Sequence, residues 1–318
     1  MEKKLSRPLV IYHGNCADGF TAAWAVYNRL GASAEYYAAT HGNRPPDVAG
    51  MDVIMVDFCY KRDVLDAMAK EAASILVLDH HKTAEADLEG IQQPEPTWED
   101  HLRAVHKQDP LQMTLGPYVR ALFDMERSGA GLAWDYFNPD KHRPALVNYV
   151  EDRDLWRFDL PHSREVNAFI FAHEYKWQDW YDLDEALGLG APAEIQRVAD
   201  NGAAIEKKHH KDVRELVEAT RRKMVIGGQL VPVANIPYTL VSDAGHLMCL
   251  GIDEGLAGSW IPPFAACYWD TPEGRVFSLR SDGRTDVSEV AKSYGGGGHA
   301  KAAGFRMPLG WEGDGITV

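Results

Sequence analysis

Short continuous apolar runs alternate with amphipathic stretches over the first eighty residues, a pattern that predicts a parallel sheet buried on both faces and flanked by helices. "PLVIY" reads as a strand leading into "HGNCADG". "FTAAWAVYNRLG" then places Phe20, Ala23, Trp24 and Tyr27 at helical spacing before a terminating glycine. "SAEYYAAT" is a second strand, "MDVIMVDF" a third followed by the amphipathic "RDVLDAMAKEAA", and "ASILVLDHH" a fourth. In open sheets of this kind, ligands bind beyond the carboxyl ends of the strands. His13, Asp57 and the triplet Asp79-His80-His81 each fall at such an end, so segments far apart in sequence are expected to converge on one site.

Beyond residue 82 the pattern loosens. "EGIQQPEPTWEDH" reads as a polar loop, "GPYVRALFDMERSGAGLAWDYF" as helices broken at Ser128-Gly129, and "RPALVNYVEDRDLW" as a helix carrying a further acid cluster. The aromatic-rich "NAFIFAHEYKWQDWYDLDEALG" suggests core or lid. Pro192 to Met224 reads as one long charged helix, a natural connector. His209 and His210 within it are adjacent, face different ways, and make poor joint ligands. Strand-like "QLVPVANI", "YTLVSDAGHLMCLG", "PFAACYWDT" and "GRVFSLRS" follow, ending in "DVSEVAKSYGGGGHAKAAGF". The expected organisation is α/β: a parallel-sheet domain over 1–190, a connector helix over 191–224, and a smaller α/β domain over 225–318.

His13, Asp18, Asp57, Asp79, His80, His81, Asp152 and Asp154 offer only oxygen and nitrogen donors. Such a set favours Mn²⁺, Mg²⁺ or Fe²⁺ over a structural zinc site. Several aspartates at one locus repel unless cations sit between them. A carboxylate bridging two ions roughly 3.5–4 Å apart would resolve the repulsion and create a hydrolytic two-metal site. In the last third, glycines 295 to 298 predict a loop whose amides face a phosphate, with His299 following and Arg280 in the preceding strand able to bind a phosphoryl group bidentately.

Composition narrows the partner more than the chemistry. The net charge of −14 argues against a protein coating long nucleic acid, yet allows a short anionic substrate held through cations. No apolar run approaches the roughly 20 residues of a membrane span, and the basic start lacks a secretory apolar segment, so a cytoplasmic location is expected. Cys16, Cys59, Cys249 and Cys267 form no CxxC pair and are expected to be reduced. An oligomer is compatible with all of this.

The ordered set "HGNCADGF", "VIMVDF", "VLDHHKT", "YVEDRDLW", "FSLRS" and "DVSEVAKSYGGGGHAKAAGF" resembles the DHH phosphoesterase superfamily, specifically the subgroup whose C-terminal DHH-associated domain bears GGGGH, with oligoribonuclease-like and RecJ-like relatives. The resemblance implies that Asp57 bridges two divalent ions, usually manganese. Asp18, His80 and Asp152 would complete one metal site and His13 would belong to the other. His81 would sit beside the scissile phosphate, with Asp79 orienting the cluster or contributing at its edge. Arg280, Gly297, Gly298 and His299 would grip a phosphate or terminal nucleotide. One position departs from the family pattern: Cys16 stands where the family commonly has an aspartate, leaving a thiolate ligand or a water as alternatives. His41 is an extra candidate ligand, and the choice between Asp152 and Asp154 stays open, because residues two apart on a helix cannot point the same way.

The function implied is metal-dependent hydrolysis of short oligonucleotides or linear dinucleotides, by a phosphodiesterase or exonuclease. Polyphosphate or pyrophosphate hydrolysis, and a non-catalytic nucleotide sensor, are the competing readings. Base-stacking aromatics near Arg280 and His299 would discriminate, with Tyr268, Trp269 and Tyr294 as candidates.

Overall fold

The computed structural model describes residues 7–40, 42–107, 118–250 and 261–315. They form two compact units that divide between Ile205 and Glu206. The first is built on five strands, β1 (Leu9–His13), β2 (Glu35–Ala39), β3 (Asp52–Val56), β4 (Ser74–Asp79) and β5 (Tyr118–Phe123), in the order β2-β1-β3-β4-β5. All neighbours are parallel. Successive side chains of these strands go to opposite faces. Val10, Ile54, Val56, Leu76 and Leu78 pack with Trp24, Trp134 and Trp180. Ile11, Met55, Ile75 and Val77 pack with Leu65, Met68 and Phe58 on the other side. Both faces are covered, which is why these strands read as unbroken apolar runs.

The helices of this unit are α1 (Ala17–Leu30), α2 (Arg62–Ala69), α3 (Lys82–Asp87), α4 (Trp98–His106), α5 (Gly129–Phe137), α6 (Ala145–Asp154), α7 (Ser163–Phe171) and α8 (Trp177–Leu187). The long α9 (Pro192–Thr220) gives Ile195, Val198 and Ala199 to the first unit's core, and Val213 and Val217 to the core of the second.

The second unit is a six-stranded sheet in the order β10-β11-β9-β8-β7-β6. Its strands are β6 (Arg222–Ile226), β7 (Gln229–Asn235), β8 (Ala265–Thr271), β9 (Gly274–Arg280), β10 (Gly297–Gly298) and β11 (Ala302–Met307). Only the β7–β8 pairing is parallel. Phe264, Phe277, Leu279 and Phe305 fill one face. The helix α10 (Val241–Cys249) covers the other, and α11 (Val287–Ser293) precedes the glycine run.

Four expectations are corrected. Tyr118–Phe123 is a strand, not helix; as an edge strand it buries only Tyr118 and Ala121, and that three-residue spacing imitates a helical period. "YTLVSDAGHLMCLG" is not a strand but a 3-10 turn and α10, whose buried Val241, Ala244, Gly245, Met248 and Cys249 follow helical spacing. The supposed loop 89–101 already contains the start of α4, capped where Thr97 accepts from the Asp100 amide. The long helix ends at Thr220, since Arg222–Ile226 pairs with β7.

The glycine run is fixed by backbone hydrogen bonds and strand pairing. The Gly295 and Gly296 amides donate to Lys292 and Ala291 carbonyls, and the His299 amide to Ala302. Gly297 and Gly298 pair with Gly304 and Ala303. Glycine is required here by close packing, because a Cβ on Gly296 would lie 2.0 Å from the Gly304 carbonyl oxygen and 2.7 Å from Phe305 Cβ. Gly296→Ala is therefore expected to destabilise the protein by about 1–3 kcal/mol, read by urea unfolding.

At the amino edge of the first sheet, His101 is fully buried. It is stacked on Trp98 at 5.3 Å, and its Nδ1 lies 3.5 Å from Glu95. Burial holds its pKa down at about 4, although the Glu95 and Asp52 charges pull upward. The unfolded chain, with a histidine near the usual 6.5, binds this proton first. Its contribution to stability is thus intact above neutral pH and falls as pH drops from about 6.5 to 4, by up to about 3 kcal/mol. Denaturation midpoints measured across that window should flatten in His101→Phe.

Candidate metal centre

The parallel register aligns the carboxyl ends of β1, β3 and β4, with Tyr12 opposite Val56 and Val56 opposite Leu78. His13, Asp57 and Asp79 are therefore neighbours because their strands end level. The strand order also reverses between β1 and β3, and at such switch points the loops diverge and leave a crevice. "HGNCADG" makes the turn from β1 into α1, with Asn15 at φ 57°. Gly19 lets the helix close on its own strand, as a Cβ there would lie 2.3 Å from the His13 carbonyl oxygen. Asp57 also has a positive φ of 52°, a conformation that non-glycine residues adopt rarely and at a cost.

Asp57 lies at the centre, 1% exposed. Its Oδ1 is 3.1 Å from His80 Nε2 and its Oδ2 is 3.5 Å from His13 Nδ1. His80 Nε2 also approaches Asp154 Oδ2 at 3.5 Å and Asp18 Oδ2 at 3.8 Å. One ligand atom from each of Asp18, His80 and Asp154 lies within 4.8 Å of the others, and the same holds for His13, Cys16 and Asp57, and for Asp57, Asp79 and His81. Asp79 Oδ1 accepts from the His80 amide (2.8 Å) and pairs with the His81 ring at Nδ1 (2.7 Å), fixing the turn and the second imidazole together.

Asp18 is held from a direction the sequence reading missed. The first amides of α5 point at it: Gly129 N–H donates to Oδ2 at 2.7 Å and Ala130 N–H to Oδ1 at 3.1 Å. Gly129 must be glycine, since a Cβ would lie 2.3 Å from Asp57 Cβ. Ser128 caps this helix through the Gly131 amide, and the buried Glu151 accepts from the Ser128 amide. The signal was present as Ser-Gly-Ala-Gly, a capping residue with two small neighbours, but it read only as a break.

The electrostatics call for a cation. Burial raises the Asp18 carboxyl well above the usual range, reinforced by Asp154 and Asp57. Burial also pushes Asp57 upward, but the neighbouring imidazoles of His13 and His80 prevail and hold it well below. Burial pushes His80 down, yet hydrogen bonding to Asp57 and the charges of Asp154, Asp57 and Asp18 raise it. Burial raises the Cys16 thiol, opposed by its hydrogen bond with His13. Asp57 Oδ2 and Asp79 Oδ2 are buried without a hydrogen-bond partner among the described residues. Buried carboxylate oxygens left in this state are costly. The donor set of carboxylates and imidazoles fits hard or intermediate divalent ions such as Mn²⁺, with Cys16 as a softer donor on the His13 side.

Of the residues singled out in sequence, the structure brings together His13, Cys16, Asp18, Asp57, Asp79, His80, His81 and Asp154. Asp152, one of the two acids between which the sequence left the choice open, points away. Its carboxylate accepts from the Asp159 and Leu160 amides and from Ser163 Oγ (2.5 Å), and it is Asp154, with its side chain 28% exposed, that approaches His80. His41 lies outside the described residues.

In the second unit, Arg280 donates to Ser278 Oγ, the Leu279 carbonyl and Ser242 Oγ, and β11 brings Ala302 opposite it. Tyr268 is 8% exposed, flanked by Phe277 and by the Arg222 and Arg275 guanidiniums. Tyr294 stacks on Phe305 and donates to Asp314. Trp269 pairs with Val276, whereas Arg280 pairs with Ala265, about 13 Å away along the strand. Tyr268 is thus buried and Trp269 lies away from Arg280 along the strand, while Tyr294 is engaged by Phe305 and Asp314. His209 pairs with Asp243 and His210 with Glu206, so they do not act jointly.

No family model matches the chain. Over 326 aligned residues it is 27% identical to an uncharacterized protein of Acanthamoeba polyphaga mimivirus, covering 93% of this chain and 66% of that protein. The chain thus spans about two thirds of the length of this curated relative. A solved structure described as the DHH domain of a member of a family of ribosomal proteins superposes with a TM-score of 0.50, covering 95% of this chain and 83% of the other at 14% identity. The chain has a DHH-domain fold. A manganese-bound exonuclease RecJ gives a TM-score of 0.42 at 14% identity, covering 95% and 86% of the two chains. No helix among the described residues of this DHH fold is long and apolar enough to cross a membrane.

Because the carboxylates repel in the absence of cations, Mn²⁺ should raise the melting temperature, with about 2.7 kcal/mol of added stability at a hundredfold excess over Kd. Differential scanning calorimetry of Asp57→Asn should show most of that gain lost.

Proposed function

We propose that the chain is a divalent-metal-dependent phosphoesterase acting on short phosphodiesters such as oligonucleotides or linear dinucleotides. The observation that carries this reading is Asp57. It is a buried carboxylate with one oxygen toward His80 and the other toward His13, and that second oxygen has no hydrogen-bond partner among the described residues. This is the arrangement expected of a carboxylate shared by two cations.

Asp18, His80 and Asp154 would hold one ion with Asp57, and His13 and Cys16 the other. Manganese suits the donors best, with magnesium or iron(II) as alternates. Bound ions of this kind supply Lewis acidity toward a phosphoryl oxygen and toward water. The protein's own contributions are positional. Asp79 fixes His81 through Nδ1 and so orients an imidazole that would exchange a proton with the substrate or its leaving oxygen. The N-terminus of α5 keeps Asp18 in place without drawing on a side-chain cation. Arg280, oriented by Ser242 and Ser278, supplies a fixed guanidinium for a phosphate in the second unit, with Gly297, Gly298 and His299 on the strand turn near it in sequence and register.

Hydrolysis of a phosphoanhydride, as in polyphosphate or pyrophosphate, is the second reading. It is favoured by the burial of Tyr268 in the core of the second unit and by the stacking of Tyr294 on Phe305, which engage two base-stacking candidates elsewhere. A turnover screen with Mn²⁺ over pApA, pGpG, RNA two- to ten-mers, pyrophosphate and polyphosphate tests both. Cleavage of the diesters, abolished in Asp57→Ala with the fold retained by circular dichroism, is the expected outcome. No turnover of any phosphoester at millimolar metal would sink the enzyme reading and leave a nucleotide-binding sensor.

A further inference from the structure

Immediately past Asp154 the chain enters a strained, aromatic segment that the metal centre does not use. Trp156, Phe158 and His162 have φ values of 57°, 55° and 54°, which for bulky side chains is costly backbone held in place by its surroundings. The holding group is Asp152. Its carbonyl accepts from the Arg157 and Phe158 amides, and its carboxylate from the Asp159 and Leu160 amides and Ser163 Oγ. The acid that sequence resemblance made a metal ligand thus fixes this segment instead.

What the segment presents is a set of rings layered with guanidiniums. Arg153 lies 4.3 Å from the Trp156 ring centroid, 5.4 Å from that of Phe158 and 5.8 Å from that of Phe171. Arg164 lies 3.8 Å from Phe158 on its own account. Phe171 is 44% exposed, and Trp156 and Phe158 are half-buried. Their placement next to the centre is set by α6: Asp154 ends that helix among the ligands, Arg153 precedes it, and Trp156 follows two residues later. Positive charge and partly exposed rings beside a centre that handles a phosphate suit a base joined to that phosphate, since bases stack on both aromatic rings and guanidinium planes. A bare polyphosphate would use the arginines and leave the rings without purpose.

We propose that Arg153, Trp156, Phe158 and Phe171 form a stacking platform for a nucleobase, making the substrate of the metal centre a nucleoside phosphate ester. This rests on the phosphoesterase reading above, and it moves base recognition from the second unit to the first.

The test compares the affinity of adenosine 5′-monophosphate with that of ribose 5-phosphate, by calorimetric titration in the presence of manganese. The intact protein should bind the nucleotide about tenfold more tightly or better. In Phe171→Ala, a surface change expected to leave the melting temperature alone, the ratio should drop severalfold. In Trp156→Ala it should approach one, with ribose 5-phosphate affinity unchanged, and Trp156→Phe should restore part of it. Equal binding of the two probes by the intact protein, or a ratio that survives both alanine variants, overturns the platform. Equal binding with diester turnover intact overturns the platform alone. Base preference with no turnover of any phosphoester supports the platform and overturns the phosphoesterase reading.

Discussion

The structure turns on one buried carboxylate. Asp57 is almost fully removed from water and sits on a backbone conformation that aspartate adopts only at a cost. An ionised group in that position is tolerable only if positive charge approaches it from the protein or from a bound ion. Two imidazoles do so from opposite sides, His80 at Oδ1 and His13 at Oδ2. Around His80 stand two more acids, Asp18 and Asp154, so the cluster offers carboxylates and imidazoles in a set that could hold a cation. The remaining features of the first unit follow from placing these groups together. Parallel strands end level, a glycine in α1 allows the helix to close on His13, and another at the start of α5 allows it to close on Asp57.

The acids are held in place by neutral donors. Asp18 receives two backbone amides from a helix N-terminus, and Asp79 receives the amides of the residues that follow it. Backbone donors fix orientation without spending positive charge that would compete with a metal, which a lysine or arginine in the same role would do. Arg127 and Arg143 in this region are paired elsewhere, with Asp124, Asp135 and Glu151. The positive charge of the fold is kept one layer out from the centre.

Most of the first unit was legible because its signals are local. Apolar runs gave the first four strands, and the rule that ligands gather at strand ends placed His13, Asp57 and Asp79 before any coordinates. What was not legible depended on contacts distant in sequence. Tyr118–Phe123 reads as helix until β4 is known to lie beside it. Ser128 and Gly129 read as a break until Asp18, more than a hundred residues away in sequence, is seen at their amides. In the second unit the glycines looked like freedom. Gly295 and Gly298 do use positive φ, but Gly296 is a tight contact against Gly304 and Phe305, a distinction that composition cannot make.

The pair Asp152 and Asp154 shows why a motif fixes a neighbourhood sooner than a role. Both acids lie in "EDRD" at the end of α6, two residues apart and therefore about 200° apart around the helix. Only one can face the cluster, and the sequence pattern left open which of the two it is. The side turned away is not idle, since Asp152 meets the chain as it leaves the helix and gathers donors from residues 157 to 163. Without that anchor, the two aromatic residues at positive φ would relax and Arg153 would lose the rings it lies against. One turn of helix thus carries two acids with separate partners: Asp154 approaches His80 among the clustered side chains, and Asp152 holds the segment that leaves the helix beside them.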